Sequence, residues 1–116
     1  MPDQAVASLL TLVVERSGDD AEVRCSGRLV TGVNDRLYLE VSKLIPSSKR
    51  ILLDLTDLTH MDSMGLGALI RLYVSCKSAK RELELINLGK RIRQLLGMTN
   101  LLSVFTVIGE NGVKIT

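Results

Sequence analysis

Aromatic residues are scarce in this chain of 116 residues, which has no tryptophan, one phenylalanine and two tyrosines. Proteins that bind single-stranded nucleic acid stack bases on aromatic side chains beside a basic groove. The formal net charge is only +2, which is too small to favour a polyanionic partner. We therefore expect no nucleic acid among its partners, and leucine, isoleucine and valine must fill the core.

Cysteine is also rare, and Cys25 and Cys76 lack the Cys-x-x-Cys spacing and the nearby histidines of a metal site. We expect both to be buried small hydrophobic residues in a reducing compartment, and a disulfide between them stays open. No metal and no cofactor is predicted. No apolar run approaches the roughly 18 residues of a membrane-spanning helix, and the first residues do not form a signal peptide. These absences predict a soluble, cytoplasmic protein without membrane insertion.

The composition is that of one small globular domain, with 46% hydrophobic and 24% charged residues. The chain contains no internal repeat, low-complexity tract or linker. We expect a single domain over 1–116, with a core at about 9–107 and a short C-terminal tail at 108–116. The oligomeric state stays open.

Strand-like and helix-like patterns alternate along the chain after an opening β-hairpin. Such an order predicts an α/β fold: a mixed β-sheet opens with the hairpin, parallel strands follow through crossovers, and amphipathic helices pack on the sheet. The predicted strands are 9–16, 21–25, 51–55, 82–87 and 104–107, and the predicted helices are 33–45, 64–80 and 90–96.

A short polar loop follows the central strand and ends at Asp62 and Ser63, where a helix begins. Both residue types cap the free N–H groups of a first helical turn. One interpretation of Ser63 is therefore a structural N-cap that contributes about 1 kcal/mol. Gly65 and Gly67 are explained by close packing of this helix on the sheet. A nucleotide-binding loop is excluded, because the chain lacks a third glycine at the required spacing and a Gly-Lys-Ser/Thr ending.

The residues Asp54-Leu55 and Met61-Asp62-Ser63-Met64-Gly65-Leu66-Gly67 resemble the signature of STAS domains of the anti-sigma factor antagonist type. In that family a serine kinase that is also an anti-sigma factor phosphorylates the serine after the aspartate, and a serine phosphatase removes the phosphate. The resemblance implies that Ser63 is the phosphorylation site. It also implies regulation of transcription by partner switching: the chain binds the kinase when Ser63 is unphosphorylated and releases it when Ser63 is phosphorylated.

The resemblance further implies a partner-binding surface around Ser63 and the end of the second strand. Val30 stands where antagonists usually carry an acidic residue, and Met64 stands where many carry a small one. A second interpretation is therefore a structural STAS subunit of a stress-signalling scaffold or a lipid-transport complex, without phosphorylation. The predicted partner-binding residues are Arg28, Val30, His60, Asp62, Ser63, Met64, Gly65, Leu66 and Gly67.

A hydrolase triad is the enzymatic alternative, because His60, Asp62 and Ser63 are its three side-chain types. A triad needs the histidine between the other two groups, a geometry usually assembled from distant segments, and the strained Gly-x-Ser-x-Gly turn is missing. We therefore predict no enzymatic activity and interpret His60 as a loop residue at an interface.

Two further features have alternative interpretations. The helix after Ser63 is apolar on more than one face at its start, which indicates either contact with neighbouring helices and the sheet or a partner groove beside Ser63. The basic residues Lys90, Arg91 and Arg93 indicate a solvated helix face, with contact to an acidic partner as the alternative.

Overall fold

The fold is a five-stranded sheet with the strand order β1-β2-β3-β4-β5 and helices between its parallel strands. The computed structural model describes residues 9–101 and 103–108. The elements are β1 (Leu10–Ser17), β2 (Asp20–Leu29), α1 (Asn34–Ser42), a 3-10 turn (Ile45–Ser47), β3 (Arg50–Met61), α2 (Ser63–Ser78), β4 (Glu82–Ile86), α3 (Lys90–Met98) and β5 (Thr106–Ile108).

The sheet is mixed, as the sequence predicts. β1 and β2 form an antiparallel hairpin, whereas β2–β3, β3–β4 and β4–β5 pair in parallel. Parallel neighbours need a long connection, and α1, α2 and α3 lie within these connections. The predicted α/β fold with an opening hairpin is confirmed. Because β2, β3 and β4 run in the same direction, their carboxyl ends meet at one edge of the sheet, where the segment around Ser63 lies.

One hydrophobic cluster joins alternate residues of the strands to one side of each helix. In register across the sheet, Val23 lies beside Leu53 and Leu53 beside Leu85, and all three are fully buried. The two cysteines belong to this cluster and are free, so the prediction of buried thiols is confirmed. Burial, with a smaller contribution from the nearby Asp54 carboxylate, raises the pKa of Cys25 to about 12. The helices contribute Leu37, Val41, Leu66, Leu69, Leu72, Ile92 and Leu96.

The central strand is longer than predicted. The polar residues 56–61, predicted as a loop, continue β3 and pair with the end of β2, where Ser26 faces Asp57 and Arg28 faces His60. Two register shifts absorb two extra residues of β3 and keep the strands paired. Most side chains of this extension are exposed, which explains why its composition is that of a loop.

The other differences concern the ends of elements. The predicted helix 33–45 is too long: α1 ends at Ser42, and Ile45 begins a 3-10 turn that contains Pro46. Proline is accepted at the start of a helical turn because its missing N–H has no partner there. The last strand is 106–108 instead of 104–107, and the predicted tail beyond residue 108 lies outside the described residues. No helix in the described ranges is long and apolar enough to cross a membrane.

Candidate partner-binding site around Ser63

Asp62 is the residue that fixes the start of α2. It is the N-cap, and its carboxylate accepts a hydrogen bond of 2.9 Å from the backbone N–H of Gly65. Its second oxygen accepts from the backbone N–H and the hydroxyl of Thr31, each at 2.9 Å. Asp62 therefore joins the first turn of α2 to the loop after β2. The interpretation of Ser63 as the N-cap is wrong, because Ser63 is the first residue inside the helix.

These hydrogen bonds also lower the pKa of the Asp62 carboxyl below its ordinary value of 3.8. The largest contribution comes from the backbone N–H of Gly65, followed by the backbone N–H of Thr31. Donors that stabilise the carboxylate make its protonation less favourable. Asp62 is therefore ionised at neutral pH, and its negative charge is held at the positive end of the helix dipole.

Gly65 allows α2 to lie directly against the end of β2. A Cβ atom at this position would lie 2.1 Å from the carbonyl oxygen of Leu29. The same carbonyl accepts a 3.3 Å hydrogen bond from the backbone N–H of Asp62. Close packing is confirmed for Gly65 and wrong for Gly67, where a Cβ would have no neighbour within 4 Å.

Ser63 lies on the opposite, solvent-facing side of this turn. Its side chain is exposed, and within the described part of the chain its hydroxyl has no hydrogen-bond partner. Met64 beside it is 50% exposed. Because Asp62 already caps the helix, the Ser63 hydroxyl has no structural task and is accessible to another protein.

The exposed side of α2 continues from Ser63 as an apolar stripe. Gly67, Ile70 and Val74 follow Ser63 at helical spacing, and Ile70 and Val74 are 36% and 55% exposed. Packing inside the protein explains the other apolar positions of α2, of which Leu69 and Leu72 are fully buried. Core contacts thus account for only part of the broad apolar surface predicted for this helix.

An open cleft of about 440 Å³ lies next to Asp62, the residue before Ser63. It is formed by the ends of β2 and β3 and by the start of α3. The prediction brought Arg28, Val30, His60 and Asp62 together in this region, and all four line the cleft. The remaining lining residues, which the prediction of partner contacts did not include, are Thr31, Met61 and Arg91.

Arg91 was missed because it lies about thirty residues after the motif. Lys90 and Arg91 are the first residues of α3, which follows β4. Helices that follow neighbouring parallel strands begin at the same edge of the sheet. The position of the basic residues at the start of the helix after β4 was therefore a signal that could have placed Arg91 at this edge of the sheet.

His60, Asp62 and Ser63 do not form a triad. Nδ1 of His60 lies 2.9 Å from Oγ1 of Thr59, and that hydroxyl donates to the carbonyl of Gly27 at 2.9 Å. The Asp62 carboxylate is bonded to Thr31 and Gly65 instead of to the imidazole. Within the described ranges no three residues of the metal-binding types His, Cys, Asp and Glu are grouped to hold an ion.

The other predicted contact residues divide by exposure. Gly65 and Leu66 are buried, so they position the turn and do not lie on its surface. Val30 is half-buried and packs against the core while it lines the cleft. Arg28 and His60 are exposed at the ends of their strands.

Comparison with known proteins identifies the family of this chain. The family model described as the STAS domain matches residues 11–111. The chain is similar to the anti-sigma-B factor antagonist of Listeria monocytogenes, with 26% identity over 102 residues that make up 86% of this chain and 89% of that protein.

Two solved structures show the shared fold. An anti-sigma factor antagonist from Mycobacterium paratuberculosis matches with a TM-score of 0.75 at 20% identity and covers 84% of each chain. The Bacillus cell fate determinant SpoIIAA in its phosphorylated form matches with a TM-score of 0.69 at 17% identity, over 87% of this chain and 94% of that one. From the motif, the fold and the family match together, the chain belongs to the STAS domain family.

Proposed function

We propose that this chain is an anti-sigma factor antagonist that acts by partner switching. With Ser63 unphosphorylated it binds an anti-sigma factor that is also a serine kinase, and with Ser63 phosphorylated it releases that partner. The observation that carries the proposal is the exposed, unbonded hydroxyl of Ser63 beside Asp62, which alone caps the helix. A hydroxyl with no structural task can be modified without loss of the fold.

The phosphorylation step transfers the terminal phosphoryl group of ATP. The Ser63 oxygen forms a bond to the γ-phosphorus, the bond from that phosphorus to the bridging oxygen breaks, and ADP leaves with the electron pair. The hydroxyl proton passes to a base of the kinase. A serine phosphatase resets the switch: a water oxygen bonds to the phosphorus, the bond from phosphorus to the Ser63 oxygen breaks, that oxygen takes a proton, and inorganic phosphate is released. All reactive groups other than the Ser63 hydroxyl belong to the partners, so the chain itself is a non-catalytic binding module.

Phosphorylation changes the surface without unfolding the helix. Phosphoserine adds about −1.5 to −2 charges at neutral pH. The first turn of a helix accommodates negative charge because its N–H groups and dipole face the anion. In a docked complex this charge must be desolvated close to the Asp62 carboxylate. A cost of about 3–4 kcal/mol is sufficient to weaken binding several-hundred-fold.

The docking surface is the exposed side of α2 together with the cleft. Ile70 and Val74 offer apolar area, and Gly67 between them and Ser63 leaves the helix backbone accessible. Met64 adds a flexible apolar side chain that adapts to a partner. A contiguous exposed apolar patch next to a modifiable hydroxyl is typical of an interaction surface.

The relatives support the proposal by what their names state. The Listeria relative is named an anti-sigma-B factor antagonist, and SpoIIAA has been solved in a phosphorylated form. An anti-sigma kinase and its sigma factor act in the cytoplasm, so we assign the chain to that compartment. We also assign the chain to a single domain. No cofactor is part of this mechanism.

Intact-mass measurement tests the proposal most simply. The chain is incubated with ATP and the anti-sigma serine kinases of its source organism, and its mass is compared with that of Ser63→Ala and Thr59→Ala. Thr59 is the matched control, because it lies four residues before Ser63 at the end of β3 but its hydroxyl donates to the Gly27 carbonyl. We expect one phosphate on the wild type and on Thr59→Ala and none on Ser63→Ala.

The same experiment also tests the alternative function, a structural STAS subunit that is not phosphorylated. An unmodified wild-type chain that co-purifies with scaffold or transporter subunits would support a structural STAS subunit instead. Phosphate on Thr59 alone would also contradict the assignment of Ser63.

A further inference from the structure

Two arginines from different elements line the cleft next to Asp62. Arg28 lies in β2 and Arg91 in α3, and both side chains are exposed. Within the described part of the chain neither guanidinium makes an ion pair or a hydrogen bond. Other arginines are engaged: Arg50 pairs with Asp20 and Glu84, and Arg71 pairs with Asp35.

Among the described residues, the cleft also contains no carboxylate that is free to pair with these cations. Asp62 is the acidic residue of its lining, and its two oxygens accept three hydrogen bonds from Gly65 and Thr31. Val30 contributes an apolar wall to the cleft. Among the described residues that line the cleft, the guanidinium groups of Arg28 and Arg91 therefore carry unpaired positive charge.

Ser63 directly follows Asp62, which lines the cleft, and the Ser63 side chain is exposed. We propose that, once Ser63 carries a phosphoryl group, the guanidiniums of Arg28 and Arg91 bind that group and thereby occupy the cleft. This inference rests on the proposed phosphorylation of Ser63. A planar guanidinium presents paired donors that match the oxygens of a phosphoryl group, which is why arginine is favoured over lysine in such sites.

The consequence is a switch with two effects on one surface. The phosphoryl group adds negative charge beside α2, and it also removes two free cations that an acidic side chain of the partner would otherwise use. The bridge connects β2 to α3 through the modified Ser63, so phosphorylation also restrains the start of α3. The unphosphorylated protein therefore presents a positive, open cleft, and the phosphorylated protein presents a neutralised, closed one.

The test uses the full chain with phosphoserine installed at position 63 during translation. Phosphorus NMR then measures the second pKa of the phosphoserine, which is ordinarily about 6. Cations that bind the doubly ionised group lower this pKa, and their removal raises it. We expect Arg28→Gln and Arg91→Gln each to raise the pKa by about 0.3–0.7 relative to the otherwise unchanged phosphoprotein.

Arg93→Gln is the matched control, because it removes the same charge from α3 but Arg93 does not line the cleft. Its phosphoserine pKa should equal that of the phosphoprotein. A second readout is the Nε–H resonances of Arg28 and Arg91, which should shift on phosphorylation while that of Arg93 does not. Equal pKa values in all four proteins, or an equal rise in the Arg93 variant, would overturn the inference.

Failure of this inference is distinguishable from failure of the proposed function. The titration needs no kinase, since phosphoserine is installed in the chain. If the kinase phosphorylates Ser63 but the arginine variants leave the pKa unchanged, the binding of the phosphoryl group in the cleft is wrong and the switch remains. If the arginines bind installed phosphoserine but no kinase modifies Ser63, the inference holds and the proposed function fails.

Discussion

The two sides of the first turn of α2 differ in every property that matters for function. The inner side is bonded and packed: its carboxylate caps the helix, and its glycine touches the β2 backbone. The outer side carries a free hydroxyl and exposed apolar surface. Because the helix repeats every 3.6 residues, packed and exposed positions alternate in one short motif. The inner side is Asp62, Gly65 and Leu66, and the outer side is Ser63, Met64 and Gly67.

The two glycines give the largest contrast. Gly65→Ala places a Cβ atom 2.1 Å from the Leu29 carbonyl oxygen, so backbone must move apart, and we expect a loss of about 3 kcal/mol or more in the free energy of unfolding. Gly67→Ala meets open space and should stabilise the helix by about 0.5–1 kcal/mol. Urea denaturation measures both. Equal effects of the two substitutions would contradict the division into an inner and an outer side.

Asp62 and Ser63, the N-cap and the first residue of α2, give the next largest contrast. Asp62→Ala removes the acceptor for Gly65 and Thr31 and should lower the free energy of unfolding by about 1–2 kcal/mol. Ser63→Ala removes an exposed hydroxyl without a partner in the described ranges and should change it by less than about 0.5 kcal/mol. Urea denaturation of both variants under identical conditions measures the two changes in the free energy of unfolding. A larger loss for Ser63→Ala would show that the serine is structural after all.

Acidification should reduce the difference between wild type and Asp62→Asn. The Asp62 carboxyl has a lower pKa in the folded protein than the ordinary 3.8, so the carboxylate stabilises the fold above about pH 4. That contribution disappears as the pH falls through the folded pKa. We expect the difference in unfolding free energy between the two proteins to be largest near pH 7 and to shrink below about pH 4. A difference that stays constant down to pH 2 would contradict the role of the charge.

Val30→Asp should have the smallest effect, and it changes the affinity of the cleft for a partner instead of the stability of the fold. It places an acidic residue at the position where related antagonists usually have one, next to the cleft. We expect the affinity for the anti-sigma kinase to fall about twofold to fivefold, the range of an exposed charge pair, because the new carboxylate competes with an acidic side chain of the partner for Arg28 and Arg91. Isothermal titration with Val30→Ala as the control separates charge from loss of the side chain. Unchanged affinity would place Val30 outside the contact.

The inner side could be predicted in part from the sequence, because its signals are local ones. The apolar periods gave the order of strands and helices, and the capping residue types gave the start of α2. They could not choose between Asp62 and Ser63, because both side chains accept hydrogen bonds. The choice depends on Thr31, whose N–H and hydroxyl reach Asp62 from 31 residues away in the sequence.

The surroundings of the outer side were harder to predict from the sequence than the inner side, because they depend on tertiary structure. Residues 56–61 have the polar composition of a loop, and only pairing with β2 through two register shifts makes them a strand. Arg91 enters the cleft because β4 lies beside β3, so that α3 begins near the end of β3. Neither relation leaves a local signal in the residues themselves, which is why composition indicated a loop and a solvated helix face.

The most direct test of the account is the affinity of the anti-sigma kinase for the chain with serine or with phosphoserine at position 63, measured by isothermal titration. We predict that phosphoserine weakens binding several-hundred-fold, which corresponds to about 3–4 kcal/mol. Equal affinities of the two proteins for that kinase would contradict the claim that the outer side of α2 carries the signal.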